Sequence, residues 1–448
     1  MKILIAGDGE TAMHLAGQLS NENQDVVIVS HDIDRLAVID TRYNVMTHCG
    51  SVLSPRGLME AGANGCDMFI AVTADEKANI ISCQLAKSLG ARRTVARIDS
   101  AEFVEHDNKK IFRDTGVDVM VFPELLASDR IAQALQRPWV YNWFELHGGA
   151  LIVAGVRLDD DFMGHGVKLK DFASTFTGLH VCAIKRGAVT IIPNGNDVLY
   201  KDDIAYFSIL EGDIDRLMVA CGKSCLKIAR VMISGGGKMA RHVAAALMNK
   251  YNVTIVESDR ELSRQIALDV PRVTVVNADQ RDIMILKEEG IDKVDAFIAL
   301  NDSSEKNIVA CMLARESGVK YVMADIEDIQ YFVEAEALNI DTVINKKLIT
   351  SSNIFQLMLD SQLSTPRCLA LEDAEVMEVV VDEGARITRS CVKDLSLPSG
   401  MTIAGLIRGD KGIIVKGDTI IKAGDHLVVF CLSGTFNKIG QLFSKRRL

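Results

Sequence analysis

Several features that would assign a protein to a class are absent from this chain of 448 residues. No uninterrupted run of about 18 apolar residues occurs, so no segment is expected to cross a bilayer. The net charge is −10 and there is no long basic block, which argues against nucleic acid as a partner. The ten cysteines form no C-x-x-C pair and no cluster with histidine, so we expect reduced thiols and no metal site.

We also expect no export signal in the given sequence. The apolar stretch after Met1 stops too soon for a signal peptide and runs directly into a glycine loop, so it is interpreted as a first strand of a cytoplasmic protein. Hydrophobic residues make up 48% and charged residues 25%, which is enough apolar material for several packed cores. The length corresponds to roughly three or four domains of ordinary size.

What the chain does contain is an internal repeat. Residues 5–12 return as residues 233–240, so that Gly235 follows Gly7 by 228 residues. The same offset relates Asn79 to Asn307, far from the glycines. One glycine motif is weak evidence, but a whole unit duplicated in register indicates two homologous nucleotide-binding domains. Two such domains in one chain are unusual for a metabolic enzyme and natural for a sensor.

The repeat predicts the fold class. Within each unit, short β-branched runs alternate with helical patterns, which is typical of right-handed β-α-β crossovers. The segments after the two units also match each other, because Arg408 follows Arg186 and Asp425 follows Asp203 by 222 residues. We therefore predict an α/β protein with two tandem Rossmann-like doubly wound parallel sheets, each followed by a small α+β module. The predicted domains are 1–130, 140–222, 228–350 and 367–448.

The glycine loops are the candidate phosphate sites. Gly7 permits a tight turn after the first strand, Gly9 lets the backbone approach a diphosphate, and the next helix directs unpaired N–H groups at the anion. The second loop repeats this arrangement, and Lys238 adds a cation. The candidate cofactor-binding residues of the two loops are Gly7, Asp8, Gly9, Glu10 and Thr11, and Gly235, Gly236, Gly237, Lys238 and Met239.

The end of the second strand in each unit distinguishes the two sites. A carboxylate there accepts hydrogen bonds from both ribose hydroxyls, which favours NAD. The second unit has Glu257, followed by Asp259, whereas the first has Ser30, followed by Asp32. Serine cannot replace a bidentate carboxylate. We therefore expect the two sites to differ in ligand or in affinity.

Further candidates follow the fourth and fifth strands. Thr73 and Asn301 are placed where a side chain would contact the second half of a nucleotide. Arg97 suits a phosphate, although a solvated surface arginine is an equally good interpretation, and its counterpart is Asp325. This charge reversal again indicates that the two sites are not interchangeable.

Catalytic groups do not stand out. A dehydrogenase needs a proton-transfer group facing the nicotinamide, but there is no Tyr-x-x-x-Lys pair and no H-E-x-x-H motif. His14 and His242 are equivalent in the repeat and lie within helical patterns, where packing is the better interpretation. A regulator that is not an enzyme is therefore favoured. An NAD-dependent oxidoreductase and a nucleotide or redox sensor for another membrane or transcriptional partner stay open as alternatives.

With these residues described, the chain resembles the TrkA family, the peripheral regulatory subunits of Trk-type potassium-uptake systems. The resemblance covers essentially the whole chain, in the order of a Rossmann-like unit and a small module, twice. It is carried by Met1-Lys2-Ile-x-Ile-x-Gly7-x-Gly9, Glu60-Ala61-Gly62-Ala63, Ala96-Arg97-Ile98, Val294-Asp295-x-Phe297-Ile298-Ala299, Ile403-x-Gly405-x-x-Arg408-Gly409 and Ala423-Gly424-Asp425-His426.

The resemblance implies tandem RCK domains (regulators of potassium conductance) that form a homo-oligomer, a dimer or a ring. It implies a cytoplasmic assembly that docks on a membrane-embedded Trk-type potassium transporter and responds to NAD(H) or adenine nucleotides. Carried over by position, the first site would use residues 7–11 with Ser30, Thr73, Ala74 and Arg97. The second would use residues 235–239 with Glu257 and Asn301. Many members have an acid where this chain has Ser30, so NAD(H) is expected above all at the second site, and ATP or ADP is an alternative above all at the first.

Overall fold

The computed structural model describes residues 1–432 except 22–23, 188, 281, 332–334, 336–337, 339, 363–367, 371–373, 396 and 399, and beyond residue 432 it describes Phe443. The described residues form four sheets, two parallel sheets of six strands and two antiparallel sheets of five strands. Among the described residues, no helix combines the length and the apolar character that crossing a membrane requires.

The first parallel sheet, here called the first Rossmann unit, has the strand order β3-β2-β1-β4-β5-β6. This order reverses at β1, which places a crevice beyond the carboxyl ends of β1 and β4. The central strands are buried on both sides because helices cover both faces of the sheet. The elements are β1 Lys2–Ala6, α1 Glu10–Asn21, β2 Asp25–Ser30, α2 Ile33–Arg42, β3 Met46–Cys49, α3 Pro55–Glu60, β4 Met68–Ala71, α4 Glu76–Ser88, β5 Arg93–Arg97, α5 His106–Asp114, β6 Val119–Val121 and α6 Pro123–Gln136.

The second Rossmann unit has the equivalent order, β14-β13-β12-β15-β16-β17. The doubly wound fold class predicted from the repeat is therefore confirmed for both units. Its elements are β12 Arg230–Ser234, α9 Lys238–Leu247, β13 Asn252–Glu257, α10 Arg260–Asp269, β14 Thr274–Asn277, α11 Ile283–Glu288, β15 Ala296–Ala299, α12 Ser304–Glu316, β16 Tyr321–Asp325, β17 Thr342–Ile344 and α13 Lys346–Gln362.

The two antiparallel sheets, the first and second small modules, have matching orders, β10-β9-β11-β8-β7 and β21-β20-β22-β19-β18. The first module contains β7 Asn142–Leu146, β8 Leu151–Arg157, α7 Leu169–Thr175, β9 His180–Arg186, β10 Val189–Ile191, β11 Ile204–Ile209 and α8 Ile214–Ala220. The strands of the second module are β18 Cys368–Ala370, β19 Ala374–Val380, β20 Met401–Arg408, β21 Lys411–Ile414 and β22 His426–Leu432.

A bidentate ion pair explains the motif that the two small modules share. Arg186 donates to both carboxylate oxygens of Asp203 at 2.8 and 2.7 Å, and Arg408 donates to Asp425 at the same distances. Both aspartates are 2% exposed. A buried carboxylate is tolerated because the planar guanidinium satisfies both oxygens. The repeated Arg and Asp therefore hold the module together.

The last helix of each Rossmann unit packs on the opposite unit. Ala127, Ile131 and Leu135 of α6 belong to the apolar core of the second unit, against α9. Correspondingly, Ile354 and Met358 of α13 belong to the core of the first unit, against α1. The four predicted domain ranges stay a prediction, since these exchanged helices join the two units through shared cores.

Candidate functional site

The first glycine loop is tight on one side and open on the other. Gly7 has φ +129°, and a Cβ there would lie 3.1 Å from the backbone of Val72 and Thr73, so the fold itself requires glycine. In contrast, no atom lies within 4 Å of a Cβ built on Gly9. The α1 helix begins directly afterwards, at Glu10. The open side of Gly9 is therefore where an anion can approach the free amides of the first helical turn.

The second loop has the same plan but is partly filled by the protein. Gly235 has φ +102°, and its Cβ would lie 2.7 Å from Leu300 O, whereas Gly237 has nothing within 4 Å. The Gly236 amide already donates to Glu257 Oε2 at 2.7 Å. A diphosphate on this loop must therefore approach on the side of Gly237, where Lys238 is exposed.

Strand register confirms that Ser30 and Glu257 are equivalent. Ala6 pairs with Val29 and Ser234 pairs with Val256, and the two residues come next in each case. Glu257 is 8% exposed, and its Oε1 accepts a hydrogen bond from the Asp259 amide at 2.8 Å. The second unit therefore keeps its carboxylate at the strand end, as the sequence predicted.

In the first unit, the carboxylate near the end of the second strand comes from the glycine loop and not from the strand. The Ser30 hydroxyl donates to Asp8 Oδ2, so the loop residue supplies the acid that the strand end lacks. Arg35 Nη1 lies 3.5 Å from the other oxygen of Asp8. The sequence placed Asp8 in the phosphate loop but did not predict its contact with Ser30. That contact requires the loop to fold back over the end of β2.

The side chains of three candidates already make contacts within the protein, two as helix caps and one as part of the apolar core. Asp32 is the N-cap of α2 and accepts from the amides of Asp34 and Arg35, and Asp259 caps α10 by accepting from Leu262 at 2.8 Å. The Met239 side chain is 5% exposed and belongs to the apolar core of the second unit. Their contribution to a ligand would therefore come mainly from backbone amides.

A buried asparagine positions the loop after the fourth strand in each unit. Asn79 accepts from the Thr73 amide at 2.9 Å and donates to Arg97 O at 2.9 Å. Asn307 accepts from the Asn301 amide at 2.7 Å and donates to the carbonyl of the fifth strand's last residue at 2.7 Å. Both asparagines are 1% exposed. The repeated Asn therefore ties two strand ends together and fixes where Thr73 and Asn301 stand.

The residues that end the fifth strand have opposite environments. Arg97 donates to Thr73 O at 3.2 Å and to Asp99 at 2.8 Å, and it borders an open cleft. Its counterpart Asp325 is 5% exposed, and burial raises the pKa of the Asp325 carboxyl to about 7. The predicted charge reversal is thus a difference between a cleft-lining cation and a buried acid. Lys346 Nζ is 3.8 Å from Asp325 Oδ2.

The first glycine loop opens into a cleft of about 540 Å³. This volume lies within the range of small-molecule sites. The predicted residues that line it are Gly7, Asp8, Gly9, Glu10, Thr11, Ser30, Thr73, Ala74 and Arg97. The first-site candidate that does not border the cleft is Asp32, which caps α2.

The second Rossmann unit supplies one wall of the same cleft. Glu327, which follows β16, and Lys346, Lys347 and Thr350 of α13 line it. Lys347 Nζ contacts Glu10 Oε2 at 2.6 Å, and Lys346 Nζ contacts Glu327 Oε1 at 2.7 Å. No sequence signal near the first loop predicts these residues, because they are more than 300 positions away; the two lysines and Thr350 come from the exchanged helix α13.

The fold defines a protein with two tandem Rossmann units, each followed by a small antiparallel module, and a cleft opens at the first glycine loop. The model of the TrkA-N domain matches residues 3–123 and 231–346, and the model of the TrkA-C domain matches residues 153–222 and 376–444. The chain therefore belongs to the TrkA family, as the resemblance of its motifs predicted.

Curated relatives match along nearly their whole length. The chain is 28% identical to the Trk system potassium uptake protein TrkA of Halomonas elongata, with 96% of each chain covered. It is 29% identical to the TrkA homolog of Archaeoglobus fulgidus, with 99% of this chain and 100% of that protein covered. The TrkA protein of Vibrio alginolyticus is also 29% identical, with 97% and 96% covered.

Solved structures share the fold. The GsuK RCK domain has a TM-score of 0.60 at 16% identity, covering 98% of this chain and 94% of that chain. The GsuK channel bound to NAD has a TM-score of 0.60 at 16% identity, covering 99% and 78%. At this identity the likeness describes the architecture, which is that of tandem RCK domains.

Proposed function

We propose that this protein is the nucleotide-responsive regulatory subunit of a Trk-type potassium-uptake system. It binds at the cytoplasmic face of a membrane-embedded transporter subunit as a homo-oligomer, and nucleotides at its Rossmann units set the activity of that partner. We assign it no catalytic role. The full-length relatives named as Trk potassium uptake proteins support this proposal, and so does the fold shared with the NAD-bound GsuK channel.

The observation that carries the proposal is the composite cleft at the first glycine loop. Lys346 and Lys347 are the first two residues of α13. Cations at a helix N-terminus oppose the helix dipole, so this placement is unfavourable for the helix alone. It is compensated by Glu327 of the same unit, which pairs with Lys346, and by Glu10 of the first unit, which pairs with Lys347 across the boundary between the units. Two lysines held beside a phosphate-type loop are suited to an anionic ligand.

This arrangement makes the ligand a link between the two halves. A nucleotide phosphate above Gly9 competes with Glu10 for Lys347 and adds a further anionic partner for Lys346. Binding then strengthens the attachment of α13 to the first unit. A ligand shifts a conformational equilibrium only by its difference in affinity between the two states, and about 10⁴-fold is needed to move it from 1:99 to 99:1. Several sites in an oligomer, each contributing about 1–3 kcal/mol of coupling, reach that value.

The two sites are proposed to differ in ligand. Glu257 at the end of β13 suits the ribose hydroxyls of NAD(H). At the first site, Asp8 and Ser30 are the candidates for the ribose, while Arg97, Lys346 and Lys347 border the same cleft and are the candidates for the phosphates of ATP or ADP. NAD(H) also suits the first site, because Asp8 provides an acid.

Binding is tested by calorimetric titration of NADH, NAD, ATP and ADP into the wild type and the Gly9→Asp and Gly237→Asp variants. The built Cβ of either glycine meets no atom within 4 Å, so both variants should fold normally. Each should lose one site by more than about 100-fold, since placing like charges together costs several kcal/mol. Wild-type binding of every nucleotide by both variants contradicts the site assignment.

Function is tested with the transporter of the same organism reconstituted in vesicles, with potassium uptake measured as nucleotide is added. We expect wild-type protein to change the uptake rate in a nucleotide-dependent way and the Gly9→Asp variant to lose that dependence. A potassium-uptake rate that does not change when the protein is added contradicts the proposed role. Steady hydride transfer to a small carbonyl by the purified chain would instead establish an oxidoreductase.

A further inference from the structure

A group of three potential metal ligands lies where the two small modules meet. His147 follows β7 of the first module, whereas Glu378 lies on β19 and His426 begins β22 of the second module. One ligand atom from each of the three lies within 4.8 Å of the others. The sequence predicted no metal site because it contains no Cys/His cluster, and these residues are brought together only by the packing of one module on the other.

The geometry of this group is close to that of a metal-binding site. Glu378 Oε1 is 2.8 Å from His426 Nδ1 and 3.4 Å from His147 Nδ1. In a tetrahedral zinc site the ligand atoms are about 3.3 Å apart, because each lies about 2.0–2.1 Å from the ion. Both imidazoles therefore present a ring nitrogen to the same carboxylate oxygen at nearly the spacing that a shared ion requires.

Burial gives the group a need for positive charge. The Glu378 side chain is 9% exposed, whereas each imidazole is 33% exposed. A carboxylate buried at this depth is costly unless a cation or strong donors compensate it. A metal ion supplies that charge, and the partly exposed imidazoles leave a route for the ion and a position for water.

The repeat shows that the fold does not demand these residues. The positions in the first module that correspond to Glu378 and His426 are Gly155 and Ile204, because Gly155 pairs with Tyr206 as Glu378 pairs with Val428. Neither glycine nor isoleucine binds a metal. The same strands fold without the pair, so the acid and the imidazole in the second module require another explanation.

The backbone conformation of His147 also supports a binding role for this group. Its φ is +48°, and His147 and Asp202 are the two non-glycine residues with positive φ in the described part of the chain. Such a conformation costs of order 1 kcal/mol for a residue with a side chain. Two glycines follow His147, and the strained position itself carries an imidazole that reaches Glu378 of the other module.

We propose that His147, Glu378 and His426 form a binding site for a divalent transition-metal ion of the zinc class. Two imidazole nitrogens and one carboxylate are the ligands that zinc, cobalt and nickel accept, while calcium and magnesium prefer oxygen ligands throughout. The ion joins the turn after β7 to the second module and so fastens the two small modules together. The site is separate from both nucleotide loops and does not depend on the function proposed above.

The test uses the full chain, freed of metal by a chelator and then titrated with Zn²⁺ in competition with a chromophoric chelator. The informative variant is His147→Gly, because glycine adopts φ +48° without strain and should leave the metal-free protein at least as stable. Second variants are His426→Ala and Glu378→Gln. The matched control is His165→Ala, which removes an exposed histidine outside the group.

We expect the wild type and His165→Ala to bind one Zn²⁺ per chain. The three site variants should bind it at least about 100-fold more weakly, since even outer partners of metal ligands are worth 10–100-fold. Co²⁺ should give visible absorption of a tetrahedral site in the wild type and not in His147→Gly. Excess Zn²⁺ should raise the melting temperature of the wild type but not that of His147→Gly.

Two results would overturn the proposal. If His147→Gly and His426→Ala bind Zn²⁺ as the wild type does, the ion is held elsewhere, for instance at the exposed Cys49 or Cys225. If the wild type binds no Zn²⁺ at micromolar concentration, the three residues are a hydrogen-bonded pair of imidazoles on a carboxylate and nothing more. In neither case would the nucleotide titrations change, so the two proposals fail independently.

Discussion

The two Rossmann units share a strand order and a buried asparagine, Asn79 or Asn307, that ties two strand ends together. They place charge differently around their glycine loops. In the second unit Glu257 at the strand end accepts from the loop amide of Gly236. In the first unit the loop carries the acid, Asp8, and the strand end carries the donor, Ser30. Residues that hold the backbone have been kept in both copies, whereas residues that face the candidate ligand differ.

The exchanged helices show the same contrast. Register aligns the start of α13 with the start of α6, so that Lys346 and Lys347 correspond to Pro123 and Glu124. Proline and glutamate are ordinary residues for a first helical turn, since the proline needs no partner for an N–H and the acid complements the dipole. Two lysines are not. Both helix starts border the first cleft, so its lining places Glu124 together with Lys346 and Lys347.

The largest expected effect comes from reversing those lysines. A Lys346→Glu/Lys347→Glu double variant should bind ATP and ADP at the first site about 100-fold more weakly, because charge-assisted hydrogen bonds contribute about 1.5–3 kcal/mol each. Affinity at the second site should stay the same. Calorimetry measures both, and Lys320→Glu, an exposed lysine of the second unit, is the control. An unchanged first site would show that α13 does not contribute to binding.

The strand-end acid provides the next test. Glu257→Ser gives the second unit the residue of the first, and NAD(H) affinity at the second site should fall about 10-fold or more as charged hydrogen bonds to ribose are lost. The first site is expected to be unaffected, as is Glu261→Ser, which changes an exposed acid nearby. Equal NADH affinity in titrations of wild type and Glu257→Ser would contradict the prediction that Glu257 binds the ribose hydroxyls.

The two glycines of one loop should separate stability from binding. Gly7→Ala introduces a Cβ at φ +129° against backbone atoms, and we expect a loss of about 1–3 kcal/mol in the stability of the first unit. Gly9→Ala should leave the melting temperature unchanged while weakening nucleotide binding. The two melting temperatures are compared by calorimetric scanning. A Gly9→Ala variant as unstable as Gly7→Ala would show that the open side is required by the fold.

The smallest effect concerns pH. Burial raises the pKa of Asp325 to about 7 from its ordinary 3.8, against the attraction of Lys346. The folded chain therefore binds a proton between pH 4 and 7 that the unfolded chain releases, so this residue lowers stability as pH rises through that window. Asp325→Asn should match the wild type near pH 4, below which both states hold the proton, and melt higher at pH 8. Parallel melting curves for the two proteins across this range would contradict the shift.

Much of this architecture could be predicted from local signals. The glycine loops, the alternation of strands and helices and the 228-residue offset predicted both doubly wound sheets, and the paired Arg and Asp marked the small modules. The equivalence of Ser30 and Glu257 followed from the offset with one residue removed, and strand pairing confirms it. These features depend on neighbours in sequence or on the pattern of one chain segment.

Other features required long-range contacts. Lys346 and Lys347, which form one wall of the first cleft, come from a helix that packs on the opposite unit. The hydrophobic periodicity of a helix shows that one face is apolar but not which surface that face will cover. The role of Asp8 beside Ser30 depends on how the loop folds over β2. His147 meets Glu378 across 231 residues, through the packing of two modules.

Residue patterns alone determined that two copies of a phosphate-type loop exist, that each follows a buried strand and that their acids differ. Tertiary structure alone decided that the copies exchange helices, that one cleft is built from both and that two imidazoles share a carboxylate. The physical reason is the range of the forces involved. Backbone geometry and helix dipoles act within one element, whereas the burial of apolar faces joins surfaces whose distance in sequence is unlimited.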